Sequence, residues 1–216
     1  LDTFLSIGTG PGIGFETAKR FAGEGFRTVV SSRSAVNGEV LTRALGDNAH
    51  FRQVDASDPT AVFDLVADAE RHFGGIDVVH YNAGNIRNQT LEEQPTDTLV
   101  RDVAINLAGA MAAIKSASRA MKSRKQGTIL LTGGGLALHP NPDYISLSAG
   151  KAGLRALGLG LFDSLKSSGI HLGMVTVYVG VSPGSPQVKQ IADLMWDLHA
   201  QETQDWSAEL SFNPGG

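Results

Sequence analysis

The chain has 216 residues, 42% hydrophobic and 19% charged, the make-up of an ordinary globular protein large enough for one well-buried core. A formal net charge of -4, with residues 122–125 as the densest basic cluster, argues against nucleic acid as a partner, and no apolar stretch approaches membrane-spanning length. Cys is absent, which excludes disulfides, thiolate chemistry and Cys-ligated metals and fits a reducing, cytoplasmic setting. The chain opens on a strand without an initiator Met, which leaves a short leader open.

The first apolar run, 3–7, leads directly into Gly8-Thr9-Gly10-Pro11-Gly12-Ile13-Gly14 and then a helical stretch over 14–23. A strand, a glycine turn and a helix N-terminus in that order form an anion site. Backbone N–H groups point outward, the helix dipole favours negative charge, and missing Cβ atoms let a pyrophosphate come close. Further strands are expected over 28–31, 50–54, 78–81, 128–132, 171–178 and 208–212, and helices over 38–45, 60–73, 96–122, 143–168 and 188–199. Such alternation predicts an α/β protein: a three-layer Rossmann fold whose parallel seven-stranded sheet is doubly wound, in one domain over 1–216. The expected strand order is 3-2-1-4-5-6-7. Small residues crowd the long helices around 105–120 and 148–165, allowing close packing against the sheet or against a second copy of the chain.

The second strand ends Ser31-Ser32-Arg33. Dinucleotide folds usually carry an acidic residue about 20 residues past the glycines to hold the ribose 2′-hydroxyl. Here Ser32 stands in that place and Arg33 follows, so a guanidinium is available for a 2′-phosphate that a carboxylate would repel. NADP(H) is therefore the preferred cofactor and NAD(H) the lesser one. Asp55 ends the third strand and either accepts from an adenine amino group or starts the turn before Pro59. Asn82-Ala83-Gly84 follows the fourth strand, at the rim where open α/β sheets bind ligands.

With these residues the chain resembles the short-chain dehydrogenase/reductase family over nearly its whole length. The resemblance rests on Gly8, Gly12 and Gly14, on Asp55, on Asn82-Ala83-Gly84, on Asn106 and Lys151, and on Pro183-Gly184 after the sixth strand. It implies hydride transfer between a nicotinamide and a carbonyl or alcohol of a small-molecule substrate, and a homodimer or homotetramer assembled through the two long helices. It also implies that a Tyr four residues before the Lys handles the proton, that a Ser after the fifth strand binds the carbonyl oxygen, and that the Asn holds a water in the proton path. A phenol titrates near pH 10, so it transfers protons efficiently only when shifted towards neutrality.

Two positions depart from that pattern. Leu147 stands four residues before Lys151, and the loop expected to carry the Ser reads Thr132-Gly133-Gly134-Gly135. Tyr144, seven residues before Lys151, is a substitute proton donor if Asn141-Pro142 starts the helix, because seven residues return to nearly the same face. The rise of ~1.5 Å per residue still separates the two by ~10 Å. Ser148 is too weak an acid to replace a phenol, and His139 lies in a loop before Pro140. Lys151 retains a binding role at the nicotinamide ribose, and the candidate catalytic set is Lys151, Asn106 and Tyr144. Two other readings stand beside the oxidoreductase. One is a nucleotide-binding sensor or regulator without turnover. The other is a methyltransferase using S-adenosylmethionine, whose glycine motif the run at 6–12 also fits.

Overall fold

The computed structural model describes residues 1–215. Seven strands form one sheet: β1 (Thr3–Ile7), β2 (Arg27–Ser32), β3 (Ala49–Gln53), β4 (Val78–Tyr81), β5 (Gly127–Gly134), β6 (Ile170–Val177) and β7 (Glu209–Phe212). Their order is β3-β2-β1-β4-β5-β6-β7, and every neighbouring pair is parallel. The expected strand order and layering are therefore those of the molecule.

Helices α1 (Ile13–Gly23), α2 (Ala35–Leu45), α3 (Pro59–Phe73), α4 (Thr96–Val103), α5 (Gly109–Arg124), α6 (Ile145–Lys166) and α7 (Pro186–Ala200) connect the strands. Side chains of a strand alternate between faces, and the core divides accordingly. Leu5, Ile7, Val79 and Leu131 join α3, α5 and α6 on one face. Phe4, Val30, Val78 and Leu130 join α1 and α7 on the other, where Phe4 stacks on Phe21 with ring centroids 4.3 Å apart. Trp196 packs edge-on against Phe21 and Phe26, and Trp206 stacks on His171. Both tryptophans are packing residues.

Local chemistry sets the ends of the elements. Asp58 caps α3, its carboxylate accepting from the N–H groups of Thr60 and Ala61, with Pro59 at the first position of the helix. The basic cluster at 122–125 closes α5, as the helix dipole favours.

Two expectations need correction. The predicted single helix over 96–122 is interrupted by a π turn, Ala104–Ala108, in which the N–H of Gly109 reaches back five residues to the carbonyl of Ala104. Helix α6 starts at Ile145, not at Pro142, because Asn141 forms a turn. Its Oδ1 accepts from the Asp143 N–H and its carbonyl from the Tyr144 N–H. Pro183-Gly184 follows β6 as expected, in the turn that precedes α7, and Val177 ends that strand.

The small residues of the long helices are largely spent inside the chain. Ala110, Ala113 and Ala117 are buried in the core. Gly150 lets α6 approach the π turn, since a Cβ there would stand 2.4 Å from the Cβ of Asn106.

Candidate active site

The strand order reverses between β1 and β4, and the loops leaving the carboxyl ends of those strands border the crevice where open α/β sheets bind ligands. Gly8 opens the turn after β1 with φ of +80°, and a Cβ there would stand 2.4 Å from the Cα of Ala83. Only glycine tolerates both the angle and the approach. The N–H groups of Gly8 and Thr9 bond to the carbonyl of Ser31, which locks the turn onto β2. Beyond it, Gly12 is the N-cap of α1 and no side chain caps that end. A Cβ on Gly10 or Gly12 would meet nothing within 4 Å. Ile13 and Gly14 form the first turn of α1. The surface above this helix end is therefore open, dipole-positive and free of side chains, as a diphosphate requires. The residues present fit a dinucleotide.

At the tip of β2 the Ser32 hydroxyl donates to the carbonyl of Ser34, and Gln53 donates to the carbonyl of Arg33. The Arg33 side chain is exposed and forms no ion pair among the described residues. Asp55 is more engaged. Its Oδ1 accepts from the N–H and hydroxyl of Ser57, and its Oδ2 lies 3.0 Å from Nη2 of Arg101 on α4. The Ser57 N–H, ahead of the Arg101 guanidinium, holds its carboxyl below the ordinary carboxylate range, although desolvation opposes the shift. Of the two readings of Asp55, the turn before Pro59 is formed, with Arg101 as an added partner.

The strand tips behind the turn are tied by a buried relay that sequence reasoning missed. Asn82 donates through Nδ2 to the Gly8 carbonyl at 2.9 Å and accepts through Oδ1 from the Thr132 hydroxyl at 2.9 Å. Nε2 of His80 lies 2.9 Å from the same hydroxyl. Since that hydroxyl spends its proton on Asn82, His80 must donate, which assigns the proton to Nε2. Burial, with the charge of Lys151 second, pushes His80 down to about 3, so it is neutral. The Thr132 carbonyl accepts from Nζ of Lys151 at 2.6 Å, and burial pushes the Lys151 ammonium down to about 8. One residue thus links the glycine turn to the candidate lysine.

A second polar cluster lies beside it. Asp102 has no exposed side-chain surface and receives Nε of Arg87 at 2.7 Å, Nδ2 of Asn85 at 2.5 Å, Nε2 of Gln94 at 3.0 Å and the Ser146 hydroxyl at 2.9 Å. Desolvation alone would raise its carboxyl, but donation by Arg87, Ser146 and Asn85 outweighs it and leaves the net shift downward. The loop after β4, α4 and the first turn of α6 meet at this one carboxylate. Asn106 adds a two-point clamp: Oδ1 accepts from the Asn85 N–H at 2.7 Å and Nδ2 donates to the Asn85 carbonyl at 3.4 Å. One Nδ2–H and one Oδ1 lone pair are left over by this clamp. The buried Tyr81 hydroxyl donates to the Ile105 carbonyl at 2.6 Å, supporting the π turn from beneath, and burial pushes that phenol up.

The proton-handling positions differ from the resemblance's pattern in space as in sequence. Leu147 is buried on α6. Of the glycines on the loop expected to carry the Ser, Gly134 lies beside the lysine, since a Cβ there would stand 3.4 Å from the Lys151 stem. Tyr144 is the N-cap of α6, with non-helical φ and ψ of −132° and 38°, and bridges to Gln89 through its backbone. Because it stands outside the helix, the seven-residue step does not set its side chain on the face of Lys151. Ser148 is turned to Asn141.

The model of the family described as short chain dehydrogenase matches residues 3–188. The chain belongs to that family. Family membership sets aside the methyltransferase reading of the glycine run. Among relatives, (+)-borneol dehydrogenase 1 of Salvia officinalis is 30% identical over 193 residues, which span 86% of this chain and 73% of that one. Among solved structures, a short-chain dehydrogenase from Rhodopseudomonas palustris superposes with a TM-score of 0.89 at 24% identity, covering 99% of this chain and 98% of the other. A metagenomic short-chain oxidoreductase crystallised with NADP gives 0.87 at 22%, covering 97% and 95%. In this chain Leu147 stands four residues before Lys151, and Gly133-Gly134-Gly135 follows Thr132. Among the described residues no helix is long and apolar enough to cross a membrane, and no group of three or more His, Cys, Asp or Glu could hold a metal ion.

Proposed function

We propose that this chain binds NADP(H) in preference to NAD(H) and transfers hydride between the nicotinamide and a small carbonyl or alcohol, using a proton donor other than residue 147. The observation that carries the reading is the uncapped, side-chain-free N-terminus of α1 with the unpaired Arg33 at the neighbouring strand tip. The cofactor supplies the hydride. The chain's own part is to hold it. Backbone N–H groups of Gly10, Gly12, Ile13 and Gly14 take the diphosphate, Arg33 takes the 2′-phosphate, and Asn82-Ala83-Gly84 lines the crevice. Lys151, already aimed at the rim by the Thr132 carbonyl, takes the nicotinamide ribose.

Calorimetry tests the binding half. A charge-assisted contact of about 1.5–3 kcal/mol corresponds to roughly 10- to 100-fold in affinity. Arg33→Ala should therefore weaken NADPH by that factor and NADH by less than about threefold. Equal losses for both would remove the 2′-phosphate role. Turnover across a panel of small ketones and aldehydes tests the catalytic half.

A second reading has an observation of its own. Leu147 is 6% exposed and Gly134 bears no hydroxyl, which favours a protein that binds the nucleotide as a sensor without turning over. Tight NADPH binding with no oxidation across the panel would support it. In either case the exposed apolar side chains Val100 and Val103 on α4, Met111 on α5 and Leu159 on α6 support self-association through the long helices.

A further inference from the structure

The β3 edge of the sheet gathers cations that the fold leaves without counter-charge. There β3 is the outermost strand, with His50 and Arg52 in register with Val29 and Ser31 of β2. Val29 belongs to the core beneath α3, so alternation along the strands sends Arg27, His50 and Arg52 to that same face. They meet at one ring. The guanidinium carbons of Arg27 and Arg52 stand 5.1 Å and 5.7 Å from the centre of Phe73, the last residue of α3, within cation–π range. The rings of His50 and His72 lie 4.9 Å and 4.6 Å from it.

In a chain of net charge -4 such a grouping needs a reason. Among the described residues neither Arg27 nor Arg52 pairs with a carboxylate. The carboxylates in the last turns of α3 are engaged elsewhere, Asp68 by Arg71 and Glu70 by Arg124. The negative end of α3 accounts for part of the group, since Arg27 donates through Nη1 to the Phe73 carbonyl at 3.4 Å and the last turn holds Arg71 and His72. It does not account for Arg52, which arrives from the edge strand. That guanidinium is half-buried and donates through Nη1 to the Phe51 carbonyl at 2.9 Å, which leaves most of its five N–H groups free. The crowding of like charge is felt at His50, whose titration is pushed down by burial first and then by Arg27, Arg52 and His72. Beside the ring Arg52, Arg71 and His72 line a groove of about 410 Å³, with Asp68 as its acidic residue, a volume in the range of small-molecule sites.

We propose that this groove binds the phosphate group of a small molecule, at a site separate from the nucleotide crevice. Arg52 and His72 are its direct partners, Arg71 is held beside them by Asp68, and Arg27 and His50 lend charge from behind. A multiply charged anion suits the groove better than a carboxylate, whose single charge would leave a second guanidinium unmatched. Such binding needs neither NADPH nor turnover, so it stands or falls apart from the oxidoreductase reading.

Calorimetry on the full chain at low ionic strength, where screening is weakest, tests it with inorganic phosphate, pyrophosphate and glycerol 3-phosphate in turn. Loss of one charge-assisted contact corresponds to roughly 10- to 100-fold in affinity, so Arg52→Ala should weaken the tightest of the three at least about tenfold and Arg33→Ala less than about threefold. Arg52→Lys should recover only part, because an ammonium offers no fork. If Arg52→Ala fails to fold, His72→Gln, at an exposed position, reads the same site with an expected loss of at least about threefold. Histidine NMR supplies a second readout: the bound anion should move the His50 titration upwards, because it offsets the charges of Arg27, Arg52 and His72. Glycerol 3-phosphate binding tighter than inorganic phosphate assigns a phosphorylated small molecule as the occupant, and the reverse order assigns the free ion. No binding below about 10 mM, a loss confined to Arg33→Ala, or a His50 titration indifferent to the anion would each overturn the site.

Discussion

His80 is a histidine that the folded protein keeps from titrating. Its ring is fully buried, its Nε2–H is committed to Thr132, and burial pushes it from 6.5 down to about 3. In the unfolded chain the same ring takes a proton near 6.5, so below that pH the unfolded state binds a proton that the folded state refuses. Stability must then fall as pH drops from about 6.5 towards 3, by up to ~1.36 kcal/mol per unit from this residue. His171 and His199 are shifted the same way by burial and add to the trend. Urea midpoints at pH 7.5 and 5 should differ less in His80→Val than in wild type, whatever the variant costs at pH 7.5. Identical differences would show that His80 is not the refused site. The relay itself was illegible in the sequence, where His80 and Thr132 stand 52 positions apart and each reads as an ordinary strand residue. Only the parallel register of β4 and β5, His80 against Leu130 and Tyr81 against Leu131, brings them together.

Among the elements, the segment 82–106 depends on one carboxylate. Asp102 carries no exposed surface, while its partner Arg87 is 22% exposed. Removing one member of a buried pair typically costs about 3–5 kcal/mol. Asp102→Ala should sit near the lower end of that range, because Arg87 can turn to water. Thermal denaturation would register it. A change below about 1 kcal/mol would mean that Gln94, Asn85 and Ser146 hold the segment without it. A sign was available in the sequence, since an acidic residue sits on the face of α4 that turns towards α6. The π turn had no comparable signal. Its register is set by Tyr81 below and by Gly150 alongside, contacts that exist only once sheet and helices are assembled. The strands and their order were legible because alternating apolar runs and helical stretches admit few parallel topologies. The beginning of α6 was misread because Asn141-Pro142 has the chemistry of a cap and makes a turn instead.

For the whole molecule, the exposed apolar side chains on α4, α5 and α6 belong to one prediction. Val100 is 80% exposed, Val103 52% and Met111 51%, and the proposed self-association would cover them. Sedimentation velocity should find the 22.7 kDa chain as a dimer or tetramer at micromolar concentration, and Val100→Asp with Val103→Asp should move it towards monomer. A wild type that sediments as a monomer would remove the interface. The nucleotide end of the site was readable from the glycines alone, because they obey local geometry. The relay behind it was not, because His80, Thr132 and Lys151 come from β4, β5 and α6 and meet only in the assembled sheet.

The wide turn at Ala104–Ala108 also bears on how the chain comes to be folded. A helix made before the strands dock has no reason to wind loosely there, since the hydroxyl that occupies the Ile105 carbonyl sits on β4. The segment 96–124 would first coil evenly and relax into its irregular form as it lands on the sheet. The crevice beside this turn would accordingly be among the last parts of the molecule to take shape.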